Sequence, residues 1–171
     1  MTKVWIEKTL VRGRPTREKG DRALGKTIWS PTQGNARAGR QPADVYRNMR
    51  EVKKDDLVLH LIDNSHITGV SIVKSDEIEQ VKGLPNTDWD ETRDCYLHRL
   101  EKYVELVVPI DRQDIFSDTN RDALTDINDK SEVFYTSNFT LRQGAYLTPC
   151  NNELGLLLNS IYKSNPILRA G

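Results

Sequence analysis

The first residues to weigh are those whose order could do chemistry. Gly20-Asp-Arg-Ala-Leu-Gly25-Lys26-Thr27 matches the phosphate-binding pattern G-x-x-x-x-G-K-[ST] in every letter. Leu57-Val-Leu-His-Leu-Ile-Asp63 imitates the apolar strand ending in the aspartate that such enzymes use for magnesium. A phosphate loop needs a buried strand before it and a helix starting at its Lys-Thr end, so that backbone N–H groups face the phosphates. Here the preceding Arg12–Lys19 is polar, and Ile28-Trp29 followed by Pro31 reads as a strand with a stop. The letters match and the required context does not, so a P-loop nucleotidase is the lesser reading. Other catalytic patterns are missing. There is no H-E-x-x-H and no Cys/His cluster, so neither a metal site nor a cofactor is expected. There is no G-x-S-x-G nucleophile turn. Glu51-Val-Lys53 has the spacing of a nuclease metal site but lies at a helix end, without the strand that would aim both side chains at one metal. No catalytic residue is assigned, and binding is favoured over catalysis.

Two tryptophans stand in unusual places. Trp29 lies beside Pro31, and Trp89 lies in a polar loop among Asp88, Asp90 and Glu91. An indole in such a loop either folds back over the core edge or lines a site. Charge is divided as well. Across 171 residues 25 Lys and Arg balance 25 Asp and Glu, yet residues 1–50 hold 12 basic against 4 acidic side chains, and the remainder 13 against 21. Arg12, Arg14, Arg17, Lys19, Arg22 and Lys26 flank the Trp29 stretch, and Arg37 and Arg40 follow it. Such a run is either a solvated loop or a surface for a polyanion.

The elements that must position these residues read as follows. Lys3–Val11 alternates as a strand, residues 12–26 form a basic loop, and Thr27–Ser30 is a short strand. Pro42–Arg50 reads as a helix with proline in its first turn and Val45, Met49 and Val52 on its apolar face. Asp56–Ile62 and Ile67–Val73 form a hairpin joined by Asp63-Asn-Ser-His66, with His60 expected as a core histidine holding a hydrogen bond. Residues 74–94 are acidic and irregular. Tyr96–Arg99, Tyr103–Ile110, Glu132–Tyr135 and Gly144–Thr148 are further strands. A short helix is expected around Arg121–Ile127, and an amphipathic one over Asn151–Lys163 capped by Asn151 or Asn152. The expected class is α+β, a small mixed β-barrel with flanking helices, in a single domain over residues 1–171 whose core spans about 3–162. There is no long apolar run and no N-terminal apolar signal segment, and Cys95 and Cys150 lack metal spacing; a cytoplasmic protein with no membrane contact is expected.

The order of segments carries a resemblance. Leu24-Gly-Lys-Thr-Ile-Trp-Ser-Pro31 precedes Asp44–Val52 and Asp56–Asn64; Ile67-Thr-Gly-Val-Ser71 follows, and Gln143-Gly-Ala-Tyr-Leu-Thr-Pro149 comes late. Over roughly residues 3–162 this resembles an EVE domain of the PUA-like superfold, related to YTH readers and found at the N-terminus of McrB-type modification-dependent restriction proteins. The resemblance implies a DNA-binding module that holds a flipped, methylated base in an aromatic pocket. It also implies an AAA+ GTPase domain and a McrC-type nuclease as partners in the full system. Ending in Ile167–Gly171 soon after the last helix suits a domain trimmed from a longer chain. An RNA reader of the same fold is the alternative. By position, Trp29 and Ser30 match the first wall and its neighbouring contact, and Trp89 the second wall. Asp63 and Asn64 are candidates to read base edges, with Tyr146 secondary. The hairpin phenylalanine of YTH domains is Ile67 here, so no adenine specificity is implied. The alternatives are Trp29 as core, Trp89 as a lid, and Asp63-Asn64 as plain turn formers.

Overall fold

The computed structural model describes residues 1–34 and 44–169. In chain order, β1 is Val4–Thr9, α1 Pro15–Glu18, β2 Thr27–Pro31, β3 Leu57–Ile62, β4 His66–Val73, β5 Glu79–Lys82 and β6 Asp94–Asp111. Then follow α2 Arg112–Ile115, α3 Arg121–Lys130, β7 Leu147–Pro149, α4 Asn152–Lys163 and α5 Pro166–Arg169. The strands form one sheet in the order β2-β6-β4-β3-β1-β7, with β5 paired to β6. Only the β1–β3 pair is parallel. The sheet curls into a half-barrel, the α+β architecture expected.

The β3–β4 hairpin forms as its alternation predicts. Its turn takes positive φ at Asp63 (51°) and Asn64 (54°), the backbone that Asn and Asp tolerate best. Trp5 and Glu7 on β1 share one face of the sheet, and Ile6 the other, as strand geometry requires. The Ile6 face packs with Leu61, Ile67 and Ile110 against Ile115, Leu124, Ile127, Leu154 and Leu158 of α2, α3 and α4. Asn151 caps α4, its side chain accepting from Leu154 N–H at 2.9 Å.

Several expectations give way. The helix over Pro42–Arg50 is, within the described residues, only a 3₁₀ turn at Arg47–Arg50. Asn48 donates its amide to the Leu147 carbonyl at 2.8 Å, and Met49 and Val52 are buried, so the segment is pinned flat against β7. The acidic stretch contains β5. The two strands expected at 96–99 and 103–110 are one, β6. The polar Glu101-Lys102 pair that divides them in sequence lies where register against β4 shifts, with Lys102 at φ 53°. Around 132–148 only an isolated Tyr135–Leu141 bridge and β7 appear. The stretch Gly20–Thr27 leads into a strand, and no helix starts at Lys26. Gly25 has φ 80°, and a Cβ there would stand 2.8 Å from the Tyr103 ring. A Cβ on Gly69 of β4 would meet the same ring at 2.6 Å. Tyr103 thus lies across two glycines, one before β2 and one on β4.

The open side of the half-barrel is spanned by a buried polar network. Glu7 and Arg17 are paired out of water: Arg17 Nη2 donates to both carboxylate oxygens at 3.0 and 2.8 Å. Arg17 Nη1 donates to the carbonyls of Arg22 (2.8 Å) and Thr27 (3.2 Å), which ties α1 to the start of β2. Tyr146 donates its hydroxyl hydrogen to Glu7 and accepts from the Trp29 N–H at 3.2 Å, which joins the segment before β7 to β2. His60 Nδ1 sits 2.8 Å from Glu7, and its Nε2 2.7 Å from Ser71 Oγ. A carboxylate can only accept, so Nδ1 carries the hydrogen. Burial alone would push the Glu7 carboxyl up; Arg17, His60 and Tyr146 outweigh it and hold it below its ordinary value.

Removing one member of a buried pair strands the other charge. Glu7→Ala is expected to cost about 3–5 kcal/mol, and Glu7→Leu combined with Arg17→Met less than either single change, measured by urea unfolding. Because the folded Glu7 pKa is depressed, its contribution is present above the ordinary value of 4.5 and is lost as pH falls below it toward the folded pKa. Wild type should therefore lose stability below pH 4.5 more steeply than Glu7→Gln, in melts run across that range.

Candidate functional site

Beside the network lies a cavity of about 230 Å³, bordered by β1, the basic loop, the loop carrying Trp89, and Gly144–Tyr146. Its aromatic lining is Trp29, Tyr46, Trp89 and Tyr146. Its polar lining comes from Lys8, Thr9, Thr16, Thr87, Arg14 and Asp88, together with the committed Arg17.

Trp89 is the hub of the aromatic lining. It stands perpendicular to Trp29 (ring centres 5.3 Å apart, 90°), to Tyr146 (5.2 Å, 89°) and to Tyr46 (5.8 Å, 84°). Edge-to-face packing of this kind satisfies the ring quadrupoles. Perpendicular rings in contact leave no slot between them, so Trp29 and Trp89 are not two walls of a sandwich. Trp29 is 3% exposed, and the Arg22 guanidinium lies 4.4 Å over its ring. It borders the cavity while almost wholly buried, so most of its ring packs in the core. Trp89 and Tyr46 are half-buried and offer the accessible aromatic surface. Tyr146 is 7% exposed and fixed by Glu7; burial first, and then the Glu7 carboxylate, push its hydroxyl pKa well up, so it remains a neutral phenol.

The loop that presents Trp89 is internally tied. Thr87 Oγ1 contacts the carbonyls of Leu84 (2.7 Å) and Trp89 (2.8 Å), Leu84 N–H donates to Trp89 (2.8 Å), and Gly83 N–H donates to Arg93 (2.9 Å). Gly83 has no room for a side chain: a Cβ would fall 1.9 Å from the Asp90 carbonyl oxygen.

The remaining expected site residues separate. Ser30 is fully buried, its hydroxyl donating to the Pro31 carbonyl at 3.1 Å, and it does not line the cavity. Asp63 and Asn64 do not line it either. Asp63 Oδ1 accepts from the N–H groups of Val11 (2.8 Å) and Arg12 (3.0 Å), so it anchors the root of the basic loop. Asn64 is an exposed turn residue. Arg17 is spent on Glu7 and is no surface cation. Arg12, Lys19 and Lys26 are exposed and have no salt-bridge partner among the described residues; Arg14 sits at the cavity, and Arg22 is committed to the Trp29 face. Arg37 and Arg40 lie outside the described residues.

Sequence reasoning missed Glu7, Arg17's burial and Tyr46. Glu7 could have been suspected, as a carboxylate on the same strand face as Trp5. Ser71, His60 and Glu7 reproduce the connectivity of a hydrolase triad, but all three have 0% exposure, so no substrate carbonyl reaches Ser71 without opening the barrel. Among the described residues no group of three His, Cys, Asp or Glu is placed to hold a metal, and no helix is long and apolar enough to cross a membrane. Since Trp29 is core, Trp29→Ala should destabilise the protein by about 3–5 kcal/mol, and Trp89→Ala by clearly less, compared by thermal melts.

No protein-family model matches the chain, and no curated protein does. Solved structures do. The N-terminal domain of Staphylothermus marinus McrB is 15% identical with a TM-score of 0.53, and 94% of each chain is covered. Human THYN1, in a complex with DNA containing 5-methylcytosine, is 11% identical with a TM-score of 0.48, covering 96% of this chain and 100% of that one. Protein Atu2648 of Agrobacterium tumefaciens is 16% identical with a TM-score of 0.47, covering 96% and 97%. The likeness to the McrB domain shows that this chain shares that domain's fold.

Proposed function

We propose that this chain is a single binding domain that takes one methylated base out of DNA and holds it in the cavity against Trp89. The observation that carries this reading is the pairing of a small aromatic cavity with exposed cations on the basic loop that borders it, cations without a salt-bridge partner among the described residues. A flipped base loses its stacking and needs a π-face in return, together with a few polar groups to read its edge. At about 230 Å³ the cavity is below the usual drug-site range of roughly 300–1,000 Å³, a volume on the scale of one planar ring system. Arg12, Lys19 and Lys26 supply sequence-independent grip on phosphates. The fold shared with the McrB N-terminal domain supports extending this proposal to a cytoplasmic, modification-dependent restriction system of phage defence. There an AAA+ GTPase domain and a McrC-type nuclease would do the cutting, and this domain would choose the site.

Two measurements test it. Trp89→Ala should leave a folded protein that loses about 1–3 kcal/mol of preference for methylated over unmodified DNA, read by fluorescence anisotropy with 5-methylcytosine and N6-methyladenine duplexes and matched RNA. A variant that keeps its preference removes Trp89 from the site, and tighter binding of the RNA turns the reading to an RNA reader. Binding to any duplex should also weaken with salt, log K falling by about 0.9 per phosphate neutralised for each unit of log salt. Replacing Arg12, Lys19 and Lys26 with Ala should flatten that slope, and an affinity indifferent to salt would remove the phosphate argument.

A further inference from the structure

Arg14 and Asp88 meet at the cavity, Arg14 Nη1 lying 3.4 Å from Asp88 Oδ2. The pair joins the basic loop to the loop that carries Trp89. It is long and exposed, the side chains retaining 42% and 83% of their accessible surface, so it holds little energy of its own. The two partners have different prospects when a nucleic acid arrives. A phosphate is a better mate for the Arg14 fork than a solvated carboxylate at that separation. Asp88 has no other cation within salt-bridge distance among the described residues, and its neighbour Trp89 is a half-buried ring of the cavity. Asp88 is also the only carboxylate among the lining side chains, the single group there that can accept hydrogen bonds and never donate. The ties around Thr87 and the bare Gly83 hold Asp88 and Trp89 side by side before any ligand binds.

We infer that Asp88 is a specificity-determining residue: a phosphate of the bound strand draws Arg14 away, and the released carboxylate accepts a hydrogen bond from an exocyclic amino group of the base resting on Trp89. This rests on the base-pocket reading above and narrows it to amino-bearing bases. In the free protein the same contact masks Arg14, and the negative charge at the cavity resists phosphate. One residue therefore restrains unspecific binding and rewards the correct base.

The test uses two bases that differ at this group. 5-Methylcytosine and thymine share the 5-methyl group; one carries a 4-amino donor and the other a 4-oxo acceptor. Three duplexes with 5-methylcytosine, cytosine or thymine opposite one guanine are titrated with the 171-residue chain at fixed salt. The thymine·guanine mismatch opens more readily, so any bias runs against the expected result. Wild type should bind the 5-methylcytosine duplex about tenfold more tightly than the thymine duplex. Asp88→Asn, whose amide can present either a donor or an acceptor, should bring that ratio to within about twofold, bind the cytosine duplex a few-fold more tightly, and melt at the wild-type temperature. Comparing N6-methyladenine with adenine and with hypoxanthine, which separates the loss of the methyl from the loss of the amino group, covers a purine ligand. If wild type favours both 5-methylated bases equally over cytosine, the pocket reading stands and the role of Asp88 is overturned. An Asp88→Asn variant that keeps the wild-type ratio also overturns it. If wild type separates none of the bases in either series, both readings fall together.

Discussion

Glu7 and Arg17 hold the two ends of the sheet path together. β2 and β7 are its termini and do not pair with each other. In place of a backbone ladder, one ion pair and one phenol do the joining: Arg17 reaches Thr27 at the start of β2, and Tyr146 reaches both Glu7 and the Trp29 N–H. A buried charge pair is a costly joint, since both ions are stripped of water, and it survives because both Glu7 oxygens are fully engaged by Arg17, His60 and Tyr146, although Arg17 Nε is left without a partner. Its directional demands also suit a seam, where apolar packing alone would let the edges slide.

The cavity inherits its shape from that joint. Tyr146 is a wall because Glu7 fixes its hydroxyl, and Trp29 is buried beneath because its own N–H ends on the same oxygen. Trp89 then packs edge-on against both rings, with Tyr46 on a third side. Stability and the proposed recognition thus draw on neighbouring atoms while remaining separable: charge and burial at Glu7, Arg17 and Trp29, exposed surface at Trp89 and at the Arg14–Asp88 contact.

Much of this architecture was legible in the sequence. The β3–β4 hairpin, β1, β2 and α4 follow from alternation, turn residues and an Asn cap, all local signals. Order and spacing of segments pointed to the fold. What escaped was long-range. Arg17 sits in a run of basic residues and reads as surface, yet a carboxylate on β1 claims it. Asp63 reads as a base-reading or turn residue, and its carboxylate in fact holds the backbone at Val11 and Arg12. Trp29 and Trp89 lie in contact at the cavity, but the angle between their rings, which decides whether a ligand fits between them, has no trace in one-dimensional spacing. β6 was cut in two because a bulge at Lys102 looks like a break.

The ring of Tyr103 has an evolutionary corollary. Its atoms fill the places where Gly25 and Gly69 would carry a Cβ, and Gly25 also needs its left-handed backbone. The glycine that completes the apparent nucleotide-binding motif is therefore accounted for by the packing of a phenol, and the pattern match arises as a by-product of sterics. Three positions far apart in the chain are therefore expected to change together. Among relatives that keep the bulky ring both glycines should persist, and where it shrinks Gly69 is released first, because at Gly25 the backbone still forbids a side chain.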